Sequence, residues 1–355
     1  MKFDYNIETN AITLSMRNFG ALPKEIQKEW MMSFYKSSNS TNIELPTKLI
    51  LEIANTCNLD CPMCRVGRYG INLSRVMSLK TLKDIITQIP TLKSIRLNGL
   101  GESTVLPNFT EYIDLIESNN ISVELITNGT GKIDDYKKII NNNGIIIFSI
   151  DAVEKKLFET LRRPAKLNDF ITVLENLSSY SREINKSDRI FLLFTLQSSN
   201  IKELSKLVKL AKKIGVNNII VNVVKLDNNT FLSTKFEEIK IEFKKALKIS
   251  EQEKISLMLP SHIDNKDVEI DKSLKTSSEH CNMPWEETVI RWNGDVQICN
   301  MFNPYTTGNI FINEFKDIWN NAFSNLFRKQ INTECKHPYC DGCVYIKNAY
   351  EHRKI

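Results

Sequence analysis

From Thr47 to Val224, short β-branched runs alternate with longer amphipathic segments, and that rhythm confines the chain to few architectures. Strand-like runs lie at Lys48–Asn55, Ser94–Asn98, Ser122–Thr127, Gly144–Ile150, Arg189–Gln197 and Asn218–Val224. Helical patterns lie between and after them, at Leu79–Ile89, Phe109–Asn119, Asp134–Asn142, Glu154–Arg162, Asn168–Ile184 and Ile201–Ile214. Six β-then-α units in a row predict a parallel sheet with helices on its outer side. Periodicity alone leaves an open barrel and a doubly wound sheet both standing. In either, ligand-binding groups belong at the carboxyl ends of the strands.

The flanks are less regular. Residues 1–45 read as an extension with an amphipathic helix at Pro23–Tyr35 and a polar linker at Lys36–Asn42. A further helix is expected over Phe231–Gln252 and a short strand over Ile255–Leu259. Ser261–Glu279 is polar and aperiodic and reads as a connection between units, giving expected domains of 46–260 and 261–355.

Composition excludes several classes. A net charge of +5 comes from scattered pairs such as Lys137-Lys138 and Lys244-Lys245, without a block of like charge, so nucleic acid is not implied. The longest apolar runs, Ile145–Phe148 and Ile190–Phe194, are far too short to span a bilayer, and no secretory signal is visible. No membrane association is therefore expected. Eight cysteines in a chain of this length argue for metal ligation rather than a disulfide framework. The expected location is the cytoplasm of a cell able to keep iron–sulfur clusters intact.

Three of those cysteines share one tight loop directly after the first strand: Cys57-Asn58-Leu59-Asp60-Cys61-Pro62-Met63-Cys64. Thiols so spaced can ligate three irons of a cubane cluster and leave the fourth iron open for chemistry; a zinc knuckle is the alternative. In a strand-then-loop setting this spacing resembles the signature of the radical S-adenosylmethionine (SAM) enzymes. The resemblance implies an incomplete (β/α)6 barrel, a [4Fe–4S] cluster on Cys57, Cys61 and Cys64, and SAM chelated to its open iron. Electron transfer from the cluster then breaks a C–S bond of SAM and yields a 5′-deoxyadenosyl radical.

Other motifs fall where the family places its cofactor contacts. Asn98-Gly99-Leu100-Gly101-Glu102, after the second strand, resembles the glycine-rich segment that holds the SAM amino group, with Ser103 where a proline is usual. Asn128, in Thr127-Asn128-Gly129, and Ser149, in Ser149-Ile150-Asp151, resemble groups beside the SAM ribose. Asn128-Gly129 is also a good turn, and Asp151 a good helix N-cap. Arg162 resembles arginines that reach the SAM carboxylate, although placement at a helix C-terminus explains it and Arg163 equally well. Thr195 and Asn200, after the fifth strand, are further candidates, and Met63 stands where relatives carry an aromatic residue near the adenine.

The remaining five cysteines lie in the last quarter of the chain. A hairpin at Thr288–Ile298, turning at Asn293-Gly294-Asp295, brings Cys281 and Cys299 together. A helical run, Glu314–Ile331, leads to Cys335, Cys340 and Cys343. Together with Cys-Asn-Met-Pro-Trp and Gly308-Asn309-Ile310, this resembles the SPASM/twitch extension, a small α+β domain. Five cysteines exclude two fully cysteine-ligated auxiliary clusters and fit one, with Cys281, Cys299, Cys340 and Cys343 as expected ligands of an auxiliary [4Fe–4S] cluster. The same thiols suit zinc. Cys335 is left over as a replacement ligand, a bystander, or a hydrogen-atom donor of the kind that radical epimerases need.

The resemblance implies abstraction of a hydrogen atom from an unactivated C–H bond, fed by a flavodoxin- or ferredoxin-type electron donor. A small polar or sugar-like substrate undergoing oxidation is the first expectation, because residues 1–45 are short for a leader-peptide recognition domain. Crosslinking or epimerisation of a ribosomally made peptide is the alternative, and a non-catalytic iron–sulfur or zinc scaffold the reading from another class.

Overall fold

A computed structural model describes residues 43–64, 72–224, 234–260, 281–300, 306–333 and 340. The expected N-terminal helix and linker, the 261–279 connection, Cys335 and Cys343 lie outside them. The strands are β1 (Lys48–Leu51), β2 (Ser94–Leu97), β3 (Ser122–Thr127), β4 (Ile145–Ser149), β5 (Ile190–Leu196), β6 (Asn218–Val223), β7 (Ser256–Met258), β8 (Glu287–Ile290), β9 (Asp295–Gln297) and β10 (Gly308–Asn309). The helices are α1 (Leu79–Gln88), α2 (Phe109–Glu117), α3 (Ile133–Asn141), α4 (Lys155–Leu161), α5 (Leu167–Glu183), α6 (Leu204–Ile214), α7 (Phe236–Glu253), α8 (Met283–Glu286), α9 (Phe315–Trp319) and α10 (Ala322–Gln330).

Strands β1 to β7 pair in chain order and all in parallel. Helices or helical turns carry the chain back between them, as parallel pairing requires. Each helix turns one apolar stripe to the sheet. In α6, Leu204, Leu207, Val208, Ala211 and Ile214 are buried at helical spacing, each large side chain contributing roughly 1.5–3 kcal/mol. Gly215, at φ +88°, ends that helix, donating its N–H to Ala211 and Lys212 carbonyls.

The two faces of the sheet differ. Ile95 and Leu97 of β2, and Val123 and Leu125 of β3, point to the helices and are buried, whereas Arg96, Glu124 and Ile126 between them are only half-buried. This alternation leaves the inner wall of the partial barrel accessible, as a substrate chamber requires. An Arg96–Glu124 ion pair of 2.7 Å crosses that wall.

The C-terminal hairpin forms as expected, with Gly294 at φ +84° in its turn and β8 antiparallel to β9. It is not a detached sheet, however. β8 runs parallel along β1, from Lys48↔Glu287 to Leu51↔Ile290, so the strand order is β10-β9-β8-β1-β2-β3-β4-β5-β6-β7. The expected single helix Glu314–Ile331 is two, α9 and α10. Asn321 breaks it, because its side chain accepts the N–H of Ser324 and starts a new helix.

Candidate active site and cluster sites

β1 ends four residues earlier than its apolar pattern suggests, and backbone pairing explains the bend. Glu52 donates its N–H to Ile290 (3.0 Å), Met77 to Ile53 (2.8 Å), and Asn55 to Arg75 (2.9 Å). Thr56 Oγ1 then accepts the Asn72 N–H at 2.6 Å. The approach to Cys57 is thereby held on both sides.

The glycine-rich segment packs against this approach. A Cβ on Gly101 would stand 2.3 Å from the Ala54 carbonyl and 2.6 Å from Thr56 N and O, and Glu102 N–H donates to the Thr56 carbonyl at 2.8 Å. A Cβ on Gly99 would stand 2.3 Å from Glu52 Cγ. The buried Glu52 accepts from Leu100 N–H (2.6 Å) and Asn55 Nδ2 (3.0 Å). These glycines thus make room for the cysteine loop and for Glu52.

Glu102, only 3% exposed, is likewise engaged by the protein. Its Oε1 accepts from Thr104 N–H (3.1 Å), Thr104 Oγ1 (2.8 Å) and Thr127 Oγ1 (3.0 Å), and its Oε2 from Asn128 N–H (2.6 Å). Burial raises its pKa against the lowering effect of those bonds. Glu102 therefore couples the ends of β2 and β3.

Asn128 reaches the cysteine loop itself. Its Nδ2 donates to Asn58 Oδ1 at 2.9 Å and to Cys57 Sγ at 3.8 Å, and Leu59 N–H approaches the same sulfur at 3.4 Å. From the α4 end, Arg163 holds Asp60: its backbone carbonyl accepts the Asp60 N–H (2.7 Å), its Nε donates to the Asp60 carbonyl (3.0 Å), and its guanidinium pairs with the carboxylate (2.9 Å). Asn58, Thr130, Glu52 and this Arg163 contact were missed in the sequence. The Asn58 position, between a ligand-type cysteine and the next strand end, was the available signal.

Arg162 pairs with the fully buried Asp151 at 2.5 Å. It lies near enough to Cys61 and Cys64 for its charge to be felt between them. Its Nε is buried and has no hydrogen-bond partner among the described residues. Asp151 also accepts the Thr195 N–H (2.9 Å), so it is not the N-cap that its position suggested; Glu154 caps α4. Asn200 is engaged by the protein itself. It is fully buried, its Oδ1 takes the Gln197 N–H, and its Nδ2 hydrogens go to the Asp151 and Thr195 carbonyls, which leaves no donor for a cofactor. Ser149 and Thr195 both lie on the inner face, at the carboxyl ends of β4 and β5, and Met63 is half-buried in the loop.

The Cys57 and Cys61 thiols have raised pKa values, to which neighbouring cysteines of the loop contribute. Burial is the main cause of the shift in each case, and Cys61 is pushed up to about 11, against the lowering effect of Arg162. Among the described residues no three cysteine, histidine or carboxylate side chains converge as a single metal ion requires. A zinc ion would draw four ligands to about 2.3 Å, whereas a cubane takes each sulfur on a different iron. The donor set and the unsatisfied guanidinium beside it fit a cluster carrying an anionic ligand.

In the C-terminal region Cys281 and Cys340 are buried and Cys299 half-buried. Asn332, beyond α10, accepts the Cys281 N–H (2.7 Å) and donates to its carbonyl (3.2 Å), tying that cysteine to the segment that leads to Cys340. Arg328 fastens α10 to α8 and α9 through the Pro284 (2.8 Å) and Trp319 (2.7 Å) carbonyls, with its guanidinium 4.1 Å over the Trp319 ring.

A cluster-type thiol loop at the carboxyl rim of a partial parallel barrel, with a cysteine-bearing hairpin appended, defines an iron–sulfur enzyme that acts on SAM. The chain belongs to the radical SAM superfamily: that family's model matches residues 51–208, and an iron–sulfur cluster-binding domain, SPASM, matches residues 281–344. It accordingly takes a [4Fe–4S] cluster with SAM and an auxiliary iron–sulfur cluster. The chain is 24% identical over 344 residues to the tungsten-containing aldehyde ferredoxin oxidoreductase cofactor-modifying protein of Pyrococcus furiosus, covering 85% of this chain and 90% of that protein. It is 26% identical over 176 residues to the mycofactocin maturase MftC of Mycolicibacterium smegmatis, covering 49% of this chain and 43% of that one. The crystal structure of Streptococcus suis SuiB bound to precursor peptide SuiA superposes with a TM-score of 0.61 at 16% identity, over 91% of this chain and 74% of that one. No helix among the described residues is long and apolar enough to cross a membrane.

Proposed function

We propose that this enzyme modifies a peptide, or a cofactor precursor made from one, by abstracting a hydrogen atom in the barrel chamber. The observation that carries the radical step is the Cys57–Cys64 loop at the strand ends, held by Gly101, Asn128 and Arg163. When bound there, the cluster and SAM supply a 5′-deoxyadenosyl radical. The residues have separate tasks: Cys57, Cys61 and Cys64 hold the cluster, and Arg162 offers its Nε–H to the SAM carboxylate. Ser149 and Thr195 face the cofactor from the inner wall, and Met63 covers it. Cys281, Cys299, Cys340 and Cys343 would hold the auxiliary cluster, which would supply an electron acceptor for a net oxidation. A flavodoxin or ferredoxin delivers the first electron.

Three relatives support a peptide-type substrate over the sugar-like one expected first. The SuiB structure carries the peptide part, being bound to a precursor peptide; the cofactor-modifying protein and the maturase carry the cofactor-precursor part. The half-buried Arg96–Glu124 pair on the inner wall suits the amide and charged groups of such a substrate.

The test is anaerobic reconstitution followed by incubation with reductant, SAM and a peptide fraction from the source cells grown in deuterated medium. Deuterium appearing in 5′-deoxyadenosine, abolished by prior protease digestion of the fraction, is the expected result. Transfer from a protease-treated, small-molecule fraction alone would return the sugar-type reading. No 5′-deoxyadenosine from a cluster-replete sample would refute the catalytic one.

A further inference from the structure

The side chain of Asn128 is locked in one orientation. Thr130 N–H, which can only donate, bonds Asn128 Oδ1 at 3.0 Å, and Thr130 Oγ1 bonds the same oxygen at 2.6 Å. The amide nitrogen must therefore point the other way, toward Asn58 Oδ1 and Cys57 Sγ. Asn58 closes the ring by donating its own Nδ2 to Thr130 Oγ1 at 2.9 Å. The backbone below is held as well, since Asn128 N–H rests on buried Glu102 and Gly129 takes φ +81°. Nothing in this ring is long or adaptable, so the hydrogen aimed at Cys57 has nowhere else to go.

We infer that Asn128 is a positioning residue that sets the reduction potential of the SAM-binding cluster by donating an N–H···S hydrogen bond to Cys57, in place of the SAM contact that its motif suggested. The inference rests on the reading of Cys57 as a cluster ligand. One-electron reduction, by a ferredoxin, a flavodoxin or dithionite, adds a negative charge that the cluster and its sulfurs share. A donor on a ligand sulfur stabilises that reduced form more than the oxidised one, and hydrogen bonds to the sulfurs are among the terms that set cluster potentials. Leu59 N–H supplies a second such donor to Cys57. The sulfur of Cys57 therefore accepts from two donors, one in the loop's own backbone and one at the rim of β3, beside its own contact with Asn58 Oδ1. Asn128 is the adjustable one, because only its donor is a side chain.

The experiment is an EPR-monitored redox titration of the reconstituted full chain, following the reduced signal whose line shape changes on adding SAM. Asn128→Leu keeps the size and removes the donor. At fixed ambient potential its ratio of reduced to oxidised cluster should fall roughly tenfold, a shift of about 59 mV to more negative potential for one electron. In wild-type protein labelled with ¹⁵N-asparagine, a nitrogen coupling to the reduced cluster, recorded without SAM, should be present, and it should vanish in Asn128→Leu. Thr130→Val loosens the amide while leaving it in place and should shift the potential less, in the same direction. An unchanged midpoint with the same coupling in Asn128→Leu overturns the inference. If that variant holds no cluster, an unchanged midpoint in Thr130→Val overturns it instead. A wild-type protein without a SAM-responsive cluster, or one that Cys57→Ala retains, refutes the ligand assignment itself and takes the inference with it.

Discussion

Replacing Gly101 by alanine perturbs the site through geometry alone, without touching a thiol. The new methyl would lie 2.3 Å from the Ala54 carbonyl oxygen and 2.6 Å from Thr56 N and O. An ordinary carbon–oxygen contact is near about 3.3 Å, so the backbone must part by roughly 1 Å. All three colliding atoms are main chain, pinned by the hydrogen bonds that Asn55, Thr56 and Met77 make to neighbouring segments. No side-chain rotation relieves the clash. Overpacking of this kind costs about 1–3 kcal/mol, and a misplacement of about 1 Å at a reacting centre lowers rates by roughly a hundredfold. Gly101→Ala should therefore lose stability by that amount in denaturant unfolding, bind less iron on reconstitution, and cleave SAM about a hundredfold more slowly. Gly99→Ala is the control, because its methyl meets the side chain of Glu52, which can swing away and give up its bonds to Leu100 and Asn55. It should lose stability but keep its iron. A Gly101→Ala protein with wild-type stability and wild-type iron would refute the packing argument.

Cluster assembly should depend steeply on pH. Burial holds the Cys57 and Cys61 thiols protonated, with Cys61 at about 11, and iron binds only the thiolate, so protons must leave. Apparent iron affinity should rise from pH 7 to 9 with measurable proton release in weakly buffered solution; a flat profile would refute it. Glu287 is buried beside β1, its Oε1 has no hydrogen-bond partner among the described residues, and burial raises its pKa despite Arg96 and Lys48. A raised folded pKa means that its favourable contribution, complete below the unfolded value, is lost as pH climbs from there through the folded one. Glu287→Gln should therefore be more stable at pH 7 by roughly 1–3 kcal/mol and show no gain near pH 4, by denaturant unfolding.

The parallel sheet was legible because its strands are short apolar runs, alternating in β3 at Val123 and Leu125 and continuous in β4 at Ile145–Phe148, set between amphipathic helices. Element ends were legible where a side chain makes the boundary, as Ser78 does by accepting the Thr81 N–H at the start of α1. They were hidden where tertiary pairing makes it. β1 stops at Leu51 because Ile53 and Asn55 turn to pair with Met77 and Arg75 of a later segment, and no local pattern carries that. The β1–β8 pairing was hidden for the same reason, since Glu287–Ile290 reads as half of a local hairpin. The thiol loop was legible from spacing. The roles of Glu102, Asn128 and Asn200 were not, because a polar side chain after a strand looks alike whether it faces a ligand or a neighbouring strand end.

That ambiguity has a physical root in the sheet itself. Parallel strands lie about 4.8 Å apart, so the residues that follow them are lateral neighbours at the rim. Glu102 after β2 bonds Asn128 after β3, which reaches Cys57 after β1; Asp151 after β4 bonds Thr195 on β5 and Arg162 beside Cys61. The two chains of contacts meet the cysteine loop from opposite sides. Breaking the second at Asp151–Arg162 would leave a buried carboxylate without its ion-pair partner, a cost of about 3–5 kcal/mol. The rim therefore resists displacement by the forces that cluster and SAM binding exert on it, and the loop keeps its shape before either arrives. Such preorganisation suits a site that must aim a short-lived radical at one hydrogen of a bound substrate. It also explains why so few of the polar groups at the strand ends remain for the ligand itself: most are spent on holding the three sulfurs in place.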